Sequence, residues 1–162
     1  KGVVELIDIW KLVVDKKSKA TLAMIGDGPL MREVKKRILA LNLEKNIDLF
    51  GYLFDGPQKY KIFAQSQIVV HPSFYDSGGM ASLEAMAFGL PAVGFNLEAY
   101  QSYYPKGMVK VGIGNIDLFA TSIIKLLNDE KRYKDVVREA QDMIQLNLSF
   151  KSRVKQLLKE IN

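Results

Sequence analysis

A loop that runs into a short predicted helix carries the side chains best suited to chemistry in this chain. Within residues 71–91, Gly78 and Gly79 directly precede an apolar stretch of helical composition. The first backbone N–H groups of a helix have no intrahelical partner and carry a partial positive charge. Because glycine has no side chain to obstruct an approaching group, this loop predicts a backbone cradle for an anion such as a phosphate.

Acidic and hydroxyl side chains flank these two glycines. Asp76 precedes them in the loop, and Glu84 follows eight positions after Asp76, on the predicted helix. Asp76 is suited to sugar hydroxyls, and Glu84 can accept two hydrogen bonds from a ribose diol. Ser77 and Ser82 can add hydroxyl donors. For the segment alone, a simple helix-starting turn stays open as the alternative, because short glycine-rich patterns are weak evidence.

A second glycine-containing turn lies near the start of the chain. Residues 26–29 read Gly-Asp-Gly-Pro after a short apolar run, and Gly26 and Gly28 would let backbone N–H groups approach a nucleotide closely. A tight strand-to-helix turn is the alternative for this run. Lys1, at the start of a predicted helix, offers a cation for a diphosphate, although a lone terminal lysine is usually just exposed.

One histidine and three tyrosines give weaker signals. His71 stands at a predicted strand end, where a structural role is favoured over a catalytic one. Tyr100, Tyr103 and Tyr104 follow another predicted strand. For these tyrosines, packing of a surface loop and contact with a sugar ring both stay open.

Predicted strands and helices alternate along most of the chain. Short apolar runs predict strands at residues 21–25, 47–50, 67–70, 91–95 and 108–111. Patterned stretches predict helices at residues 2–15, 29–41, 57–65 and 80–88, and then at 116–127, 130–144 and 149–161. A break is expected at residues 147–149, with Ser149 capping the last helix.

This alternation predicts an α/β fold with a parallel, doubly wound, Rossmann-like sheet and right-handed crossovers, followed by helices. Ligands of such sheets bind outside the carboxyl ends of the strands. The loops at that edge are residues 26–29, 51–57, 71–79 and 96–105. The glycine-rich segments described above therefore meet at the edge where a ligand is expected.

The composition narrows the classes of function. The chain has 162 residues, a formal net charge of +5 and a pI of about 9.3, a balance that favours anionic partners. It has no cysteine and one histidine, which excludes thiolate and histidine-rich metal sites. No basic stripe interleaved with aromatic residues suggests a nucleic-acid partner. No apolar run reaches the roughly 18 residues of a membrane span, and the whole fits a cytoplasmic protein.

These residues stand in the order and at the spacing of a known family. The shared features are a Lys-Gly before the first helix, the Gly-Asp-Gly-Pro turn, Phe50-Gly51 at a strand end, a Pro-Ser at 72–73, and the run Glu-Ala-Met-Ala-Phe-Gly-Leu-Pro at 84–91. Two acidic residues with seven positions between them, Asp76 and Glu84, complete the pattern. In this combination the sequence resembles the carboxy-terminal domain of family 4 glycosyltransferases, which have the two-domain GT-B fold.

The resemblance implies a donor-binding domain spanning residues 1–162, in which Lys1 contacts the donor diphosphate, Glu84 binds the ribose, and Asp76 binds the transferred sugar. It further implies that the donor is held by Gly26, Gly28, Gly51, Leu53, Ser77, Gly78, Gly79, Met80, Ala81 and Ser82. Such enzymes typically retain the anomeric configuration and need no metal ion or other cofactor. The expected donor is a UDP- or GDP-sugar, and the expected acceptor a glycan, a lipid or a polysaccharide precursor.

Three departures from the family pattern matter. Asp76 stands where the family usually has glutamate, and the run Ser-Gly-Gly at 77–79 replaces the more usual Gly-Phe-Gly. The family's strand and arginine just before Lys1, and its amino-terminal acceptor-binding domain, are absent from the sequence. We therefore expect the isolated chain to bind donor weakly and not to catalyse transfer.

The remaining expectations concern partners and alternatives. The expected partners are the nucleotide-sugar donor and the amino-terminal domain of the same enzyme. The basic last helix could dock on that domain or on the inner face of a membrane, so a peripheral membrane location stays open beside a cytoplasmic one. The alternative functions are a non-catalytic module that binds nucleotides or sugar phosphates, and a protein-interaction module of the same fold.

Overall fold

Residues 1–148 fold into alternating helices and strands, and include one helix that the sequence does not predict. The computed structural model describes residues 1–148. Its elements are α1 (Val3–Lys16), β1 (Leu22–Ile25), α2 (Met31–Ala40), β2 (Ile47–Gly51), α3 (Pro57–Gln65), β3 (Val69–His71), α4 (Met80–Ala87), β4 (Ala92–Phe95), α5 (Glu98–Tyr103), β5 (Met108–Val111), α6 (Ile116–Asn128) and α7 (Glu130–Leu148).

The strands form two parallel sheets. In the first sheet β1 pairs with β2, and in the second the order is β3-β4-β5. The predicted parallel α/β arrangement is thereby confirmed, but the sheet is not continuous. Among the described residues, no ladder hydrogen bonds join β1 to β3. All four residues of β4 are buried, as expected for the middle strand of a sheet covered on both faces.

The core lies between the sheets and the helices α1 and α6. Helix α1 turns Leu6, Trp10 and Val13 inward, at the spacing that places side chains on one helix face. On α6, Phe119 and Ile123 are fully buried. The two helices pack against each other, so α1 is held in place along most of its length.

Helix α5 lies in a segment that the sequence predicts to be a surface loop, residues 96–105. That prediction is wrong, because Tyr100 and Tyr104 are both fully buried. The two rings lie one helical turn apart and pack edge to face, with centroids 5.3 Å apart. Their burial holds this short segment against the loop that precedes α4.

Helix α7 is longer than predicted. The sequence pattern predicts an end near residue 144 and a break at 147–149, whereas α7 continues to Leu148. The polar residues near its end do not interrupt the backbone hydrogen bonding of a helix. The predicted last helix at 149–161 and its cap Ser149 lie outside the described residues. Within residues 1–148, no helix has the length and apolar character needed to cross a bilayer.

Candidate functional site

The loop between β3 and α4 folds around its own carboxylate. The Asp76 oxygen Oδ1 accepts hydrogen bonds from the backbone N–H of Gly78, at 3.0 Å, and of Gly79, at 2.7 Å. Helix α4 begins directly after Gly79. The two amides at its amino-terminal end therefore donate to one anionic group, the Asp76 side chain, and the cradle for a phosphate at this place stays a prediction. We call the N–H groups of Gly78 and Gly79 the α4 cradle.

Two buried tyrosines fix the shape of the α4 cradle. Gly79 has a φ of 60°, and a Cβ at this position would lie 3.0 Å from the Tyr100 ring, so the site requires glycine. The Tyr104 hydroxyl lies 2.8 Å from the carbonyl oxygen of Gly78 and 2.7 Å from that of Gly79, and donates its hydrogen to them. Burial, followed by the charge of Asp76, raises the pKa of Tyr104 to about 12, so the hydroxyl stays protonated.

The start of α1 brings a cation to the same carboxylate. The Lys1 ammonium group pairs with Oδ2 of Asp76. Gly2 makes this approach possible: its φ is 68°, and a Cβ there would lie 1.8 Å from the carbonyl oxygen of Pro72. No side chain fits in that space, so the backbone of Gly2 lies directly against the chain that follows β3.

The surroundings of Asp76 keep it ionised. Burial of the side chain, which is 7% exposed, would by itself raise its pKa. The hydrogen bonds from Lys1, Gly78 and Gly79 outweigh that effect and hold the pKa of Asp76 well below its ordinary value. His71 lies 3.3 Å away through its Nε2 atom. Burial lowers the pKa of His71, although the charge of Asp76 opposes this, so the ring is neutral at pH 7.

Glu84, the second acidic residue, lies on α4 in a more open position. Its side chain is 42% exposed, and its Oε2 atom lies 2.5 Å from the Lys59 ammonium group. Lys59 also lies 2.9 Å from Oδ1 of Asp55. The hydrogen bonds to Glu84 and then to Asp55 raise the pKa of Lys59. The sequence does not single out Lys59, because its bond to Glu84 joins two helices across 25 positions of the chain.

Most of the predicted site residues line one cavity of about 2120 Å³, which includes the loops at the carboxyl ends of β1, β2 and β3. Lys1, Asp76 and Glu84 line it, together with the predicted donor-binding residues Gly26, Gly28 and Leu53 and the run at 77–81. The structure thus brings together segments that are far apart in the sequence.

Two of the predicted donor-binding residues do not line this cavity. The Ser82 side chain is fully buried, and its hydroxyl has no hydrogen-bond partner among the described residues. The expected hydroxyl donor therefore does not reach the cavity. Gly51 instead accepts a hydrogen bond through its carbonyl oxygen from the N–H of Gly26, at 2.7 Å, and so joins the loops after β1 and β2. Within residues 1–148, no group of three acidic or histidine side chains could hold a metal ion.

A family model confirms the resemblance that the motifs indicate. The model described as "Glycosyl transferases group 1" matches residues 1–143. The chain belongs to this family. The match covers both acidic residues, the α4 cradle and the helices α1 to α6, and ends within α7.

A relative and two solved structures show how much of such a group 1 glycosyltransferase the chain represents. A poly(ribitol-phosphate) alpha-N-acetylglucosaminyltransferase of Staphylococcus aureus is 30% identical over 132 residues, which cover 77% of this chain and 25% of the relative. The structure of Staphylococcus aureus TarM in complex with fondaparinux, alpha-GlcNAc-glycerol and UDP matches 98% of the chain and 32% of its own length, with a TM-score of 0.83 and 26% identity.

The carboxy-terminal domain of LpcC, a group 1 glycosyltransferase of Francisella tularensis, has the same fold. It matches 93% of this chain and 80% of its own length, with a TM-score of 0.78 and 20% identity. The chain spans about a quarter of the length of the curated relatives it matches, 28% and 25% in two of them. The fold is that of the carboxy-terminal half of GT-B enzymes.

Proposed function

We propose that this chain binds the nucleoside diphosphate of a sugar donor and forms the donor-binding half of a glycosyltransferase. One observation carries the proposal: two helix-terminal amides and the Lys1 ammonium group converge on a single anionic group at the cavity, the Asp76 carboxylate. Such a set of donors suits a phosphate as well as it suits a carboxylate. Membership of the group 1 glycosyl transferases supports the same conclusion.

Donor binding then exchanges one anion for another. The diphosphate accepts the hydrogen bonds of the α4 cradle and pairs with Lys1, and the Asp76 carboxylate turns from these groups to the hydroxyls of the sugar. As the glycosidic bond to the diphosphate breaks, negative charge grows on the leaving phosphate. Donors already aimed at that charge lower the barrier, so catalysis of this kind needs no metal ion.

Glu84 is the residue that we assign to the ribose. Its Oε2 atom is held by Lys59, and the Oε1 atom is then available to the ribose hydroxyls. Leu53, which lines the cavity, lies against the base. The presence of UDP in the matched TarM structure favours a uracil nucleotide.

Aromatic side chains at the rim of the cavity support contact with a further domain. Tyr52 and Phe54 line the cavity, are exposed by 67% and 81% of their surface, and pack edge to face with each other. Large apolar side chains that gather on one rim commonly mark a contact surface. We propose that they face the acceptor-binding domain, which brings a glycan, lipid or polysaccharide precursor to the donor. Transfer of the sugar then retains its anomeric configuration. The enzyme lies on the cytoplasmic side, in peripheral contact with a membrane.

Calorimetric titration of the chain with UDP, GDP and ADP tests the proposal. We expect saturable binding of one nucleotide, lost on Lys1→Met and on Glu84→Gln. Exposed residues of the same charge that lie outside the cavity provide the controls: Lys125→Met and Glu98→Gln should bind like the unchanged chain. Indifference to all three nucleotides in a folded chain would instead favour the protein-interaction module.

A further inference from the structure

His71 shares one oxygen of the Asp76 carboxylate with Lys1. The Oδ2 atom of Asp76 pairs with the Lys1 ammonium group and lies 3.3 Å from Nε2 of His71. Because a carboxylate only accepts hydrogen bonds, this contact requires the tautomer of His71 that carries its proton on Nε2. The other oxygen, Oδ1, accepts the hydrogen bonds of the α4 cradle. The two oxygens of Asp76 therefore have separate sets of donors.

The two partners of Oδ2 differ in how firmly they are held. The Lys1 side chain is 64% exposed, and its flexible stem can carry the ammonium group to another anion. His71 instead belongs to β3, which pairs with β4 at each of its three residues, and its side chain is 13% exposed. The imidazole ring packs edge to face on the fully buried Tyr100, with centroids 6.0 Å apart. The ring therefore stays in place when Lys1 moves.

The charges of Asp76 and Lys1 act on the ring in opposite directions. Burial lowers the pKa of His71, and the Asp76 carboxylate opposes this. The Lys1 ammonium group, together with the adjacent amino-terminal ammonium group, lowers the pKa further. Departure of Lys1 from Oδ2 would leave a negative charge, on a side chain that is 7% exposed, next to the ring. Such a neighbour favours the protonated form of a histidine.

The titratable groups on the other elements around the ring are neutral, paired or distant. Burial raises the pKa values of Tyr100 and Tyr104, so both hydroxyls stay uncharged. On α4, Glu84 is paired with Lys59. Lys110 of β5 stands in the same row of the sheet as the ring, but two strands away. The ion pair on Oδ2 therefore dominates the charge next to the imidazole.

We propose that His71 positions Asp76 in the donor-bound state, and that its ring takes up a proton from solvent as the Lys1 ammonium group moves to the diphosphate. The protonated ring replaces Lys1 as the cationic partner of Oδ2. Oδ1, released by the α4 cradle, then binds the hydroxyls of the transferred sugar. This role rests on the proposed function, in which the donor displaces Asp76 from Lys1 and the cradle. His71 is thus a positioning residue, and donor binding is coupled to proton uptake.

NMR titration of His71 between about pH 4 and pH 8 tests the coupling. The chain has one histidine, so its imidazole resonances report this ring alone. In Lys1→Met without nucleotide, we expect the proton affinity of the ring to rise at least about threefold, because the cation is absent from Oδ2. Lys125→Met, which removes an exposed charge outside the cavity, should titrate like the unchanged chain. Identical titrations of all these proteins would overturn the proposal.

Saturation of the unchanged chain with UDP provides the second arm of the test. The proton affinity of His71 should again rise at least about threefold, since Lys1 then pairs with the diphosphate. In Asp76→Asn the rise should be much smaller, because the carboxylate charge is absent while one oxygen remains for the α4 cradle. An equal rise in Asp76→Asn would assign the effect to the charge of UDP itself and contradict the role of His71.

The two arms distinguish failure of this role from failure of the proposed function. Binding of UDP without a change in the titration of His71 would leave donor binding intact and overturn the coupled protonation alone. Absence of UDP binding would overturn the proposed function and the donor-bound role of His71 together. The comparison of Lys1→Met with the unchanged chain would still show whether the ring responds to the Lys1 cation.

Discussion

Asp76 and Glu84, the two acidic residues of the site, have contrasting surroundings. The Asp76 side chain is 7% exposed and accepts hydrogen bonds from Lys1, Gly78 and Gly79. Glu84 is nearly half-exposed, and one of its oxygens binds Lys59. The same type of group therefore has two roles. Asp76 holds the loop together, and under the proposed function a donor displaces it from these groups, whereas Glu84 is already partly open to the cavity.

Truncation of the two side chains should separate these roles most strongly. Asp76→Ala leaves the amides of the α4 cradle without their acceptor, and we expect it to lower the free energy of unfolding by about 2–4 kcal/mol. Glu84→Ala removes a partly exposed ion pair and should cost less than about 1 kcal/mol. Urea unfolding of both variants measures the difference. Equal losses would show that Asp76 is not a structural anchor of the loop.

The support of the α4 cradle by Tyr104 gives a smaller effect. Tyr104→Phe removes the hydroxyl that bonds to the carbonyl groups of Gly78 and Gly79, and we expect a loss of about 1–2 kcal/mol in unfolding free energy. The matched control is Tyr103→Phe, which should leave the free energy of unfolding unchanged because Tyr103 is half-exposed. If both variants unfold at the same urea concentration, the hydroxyl of Tyr104 does not stabilise the loop.

Lys59 should act on donor binding through Glu84. Lys59→Met frees the Glu84 carboxylate from its partner, and we expect nucleotide affinity to fall by about 1 kcal/mol, or about fivefold. Lys59→Arg keeps the charge and should restore most of the affinity. Calorimetry on both variants provides the measurement. The idea fails if Met and Arg at this position weaken binding equally, because then the charge opposite Glu84 has no effect.

The smallest expected effect is the pH dependence of stability that His71 and Asp76 contribute. Burial lowers the pKa of His71, so the unfolded chain takes up this proton at a higher pH than the folded chain does. The stability that the neutral His71 ring contributes is fully present above its ordinary pKa of 6.5. It is lost as the pH falls from 6.5 towards the lowered pKa of the folded chain. Asp76 adds a second loss below its ordinary 3.8, since its pKa is also lowered.

Unfolding midpoints between pH 7 and pH 5 check the contribution of His71. The midpoint should fall over this range in the unchanged chain and fall less in His71→Gln, because glutamine does not titrate. Parallel curves for the two proteins would contradict the assignment of this loss to His71. The titration of Asp76 lies at lower pH and does not overlap with this range.

Local signals in the sequence predict the elements of this fold well. Helix α3 begins at Pro57, a residue favoured in the first turn, and β5 is a short apolar run bounded by polar residues and glycine. Both elements lie where the sequence predicts them. Helix α5 differs because its six residues are ordered by long-range packing of Tyr100 and Tyr104 against the α4 cradle, a contact that no local pattern reveals.

The candidate site likewise combines local features, which the sequence predicts, with long-range contacts, which it does not. Its residues could be named from the sequence because glycine turns and acidic spacing are local features. The partners of those residues could not, because Lys1 meets Asp76 across 75 positions and Lys59 meets Glu84 across 25. Ser82 likewise has the right spacing for a hydroxyl donor, but the packing of α4 turns it inward. Separation of the strands into two sheets is also a long-range property.

The exchange of anions at the α4 cradle is tested most directly by NMR titration of the chain with UDP, with the backbone amides of Gly78 and Gly79 observed. The account predicts that both resonances shift saturably as phosphate replaces the Asp76 carboxylate. Inorganic sulfate at the same concentration and ionic strength provides the control for a general salt effect. Saturable shifts elsewhere in the chain, with these two amides unchanged, would contradict the account.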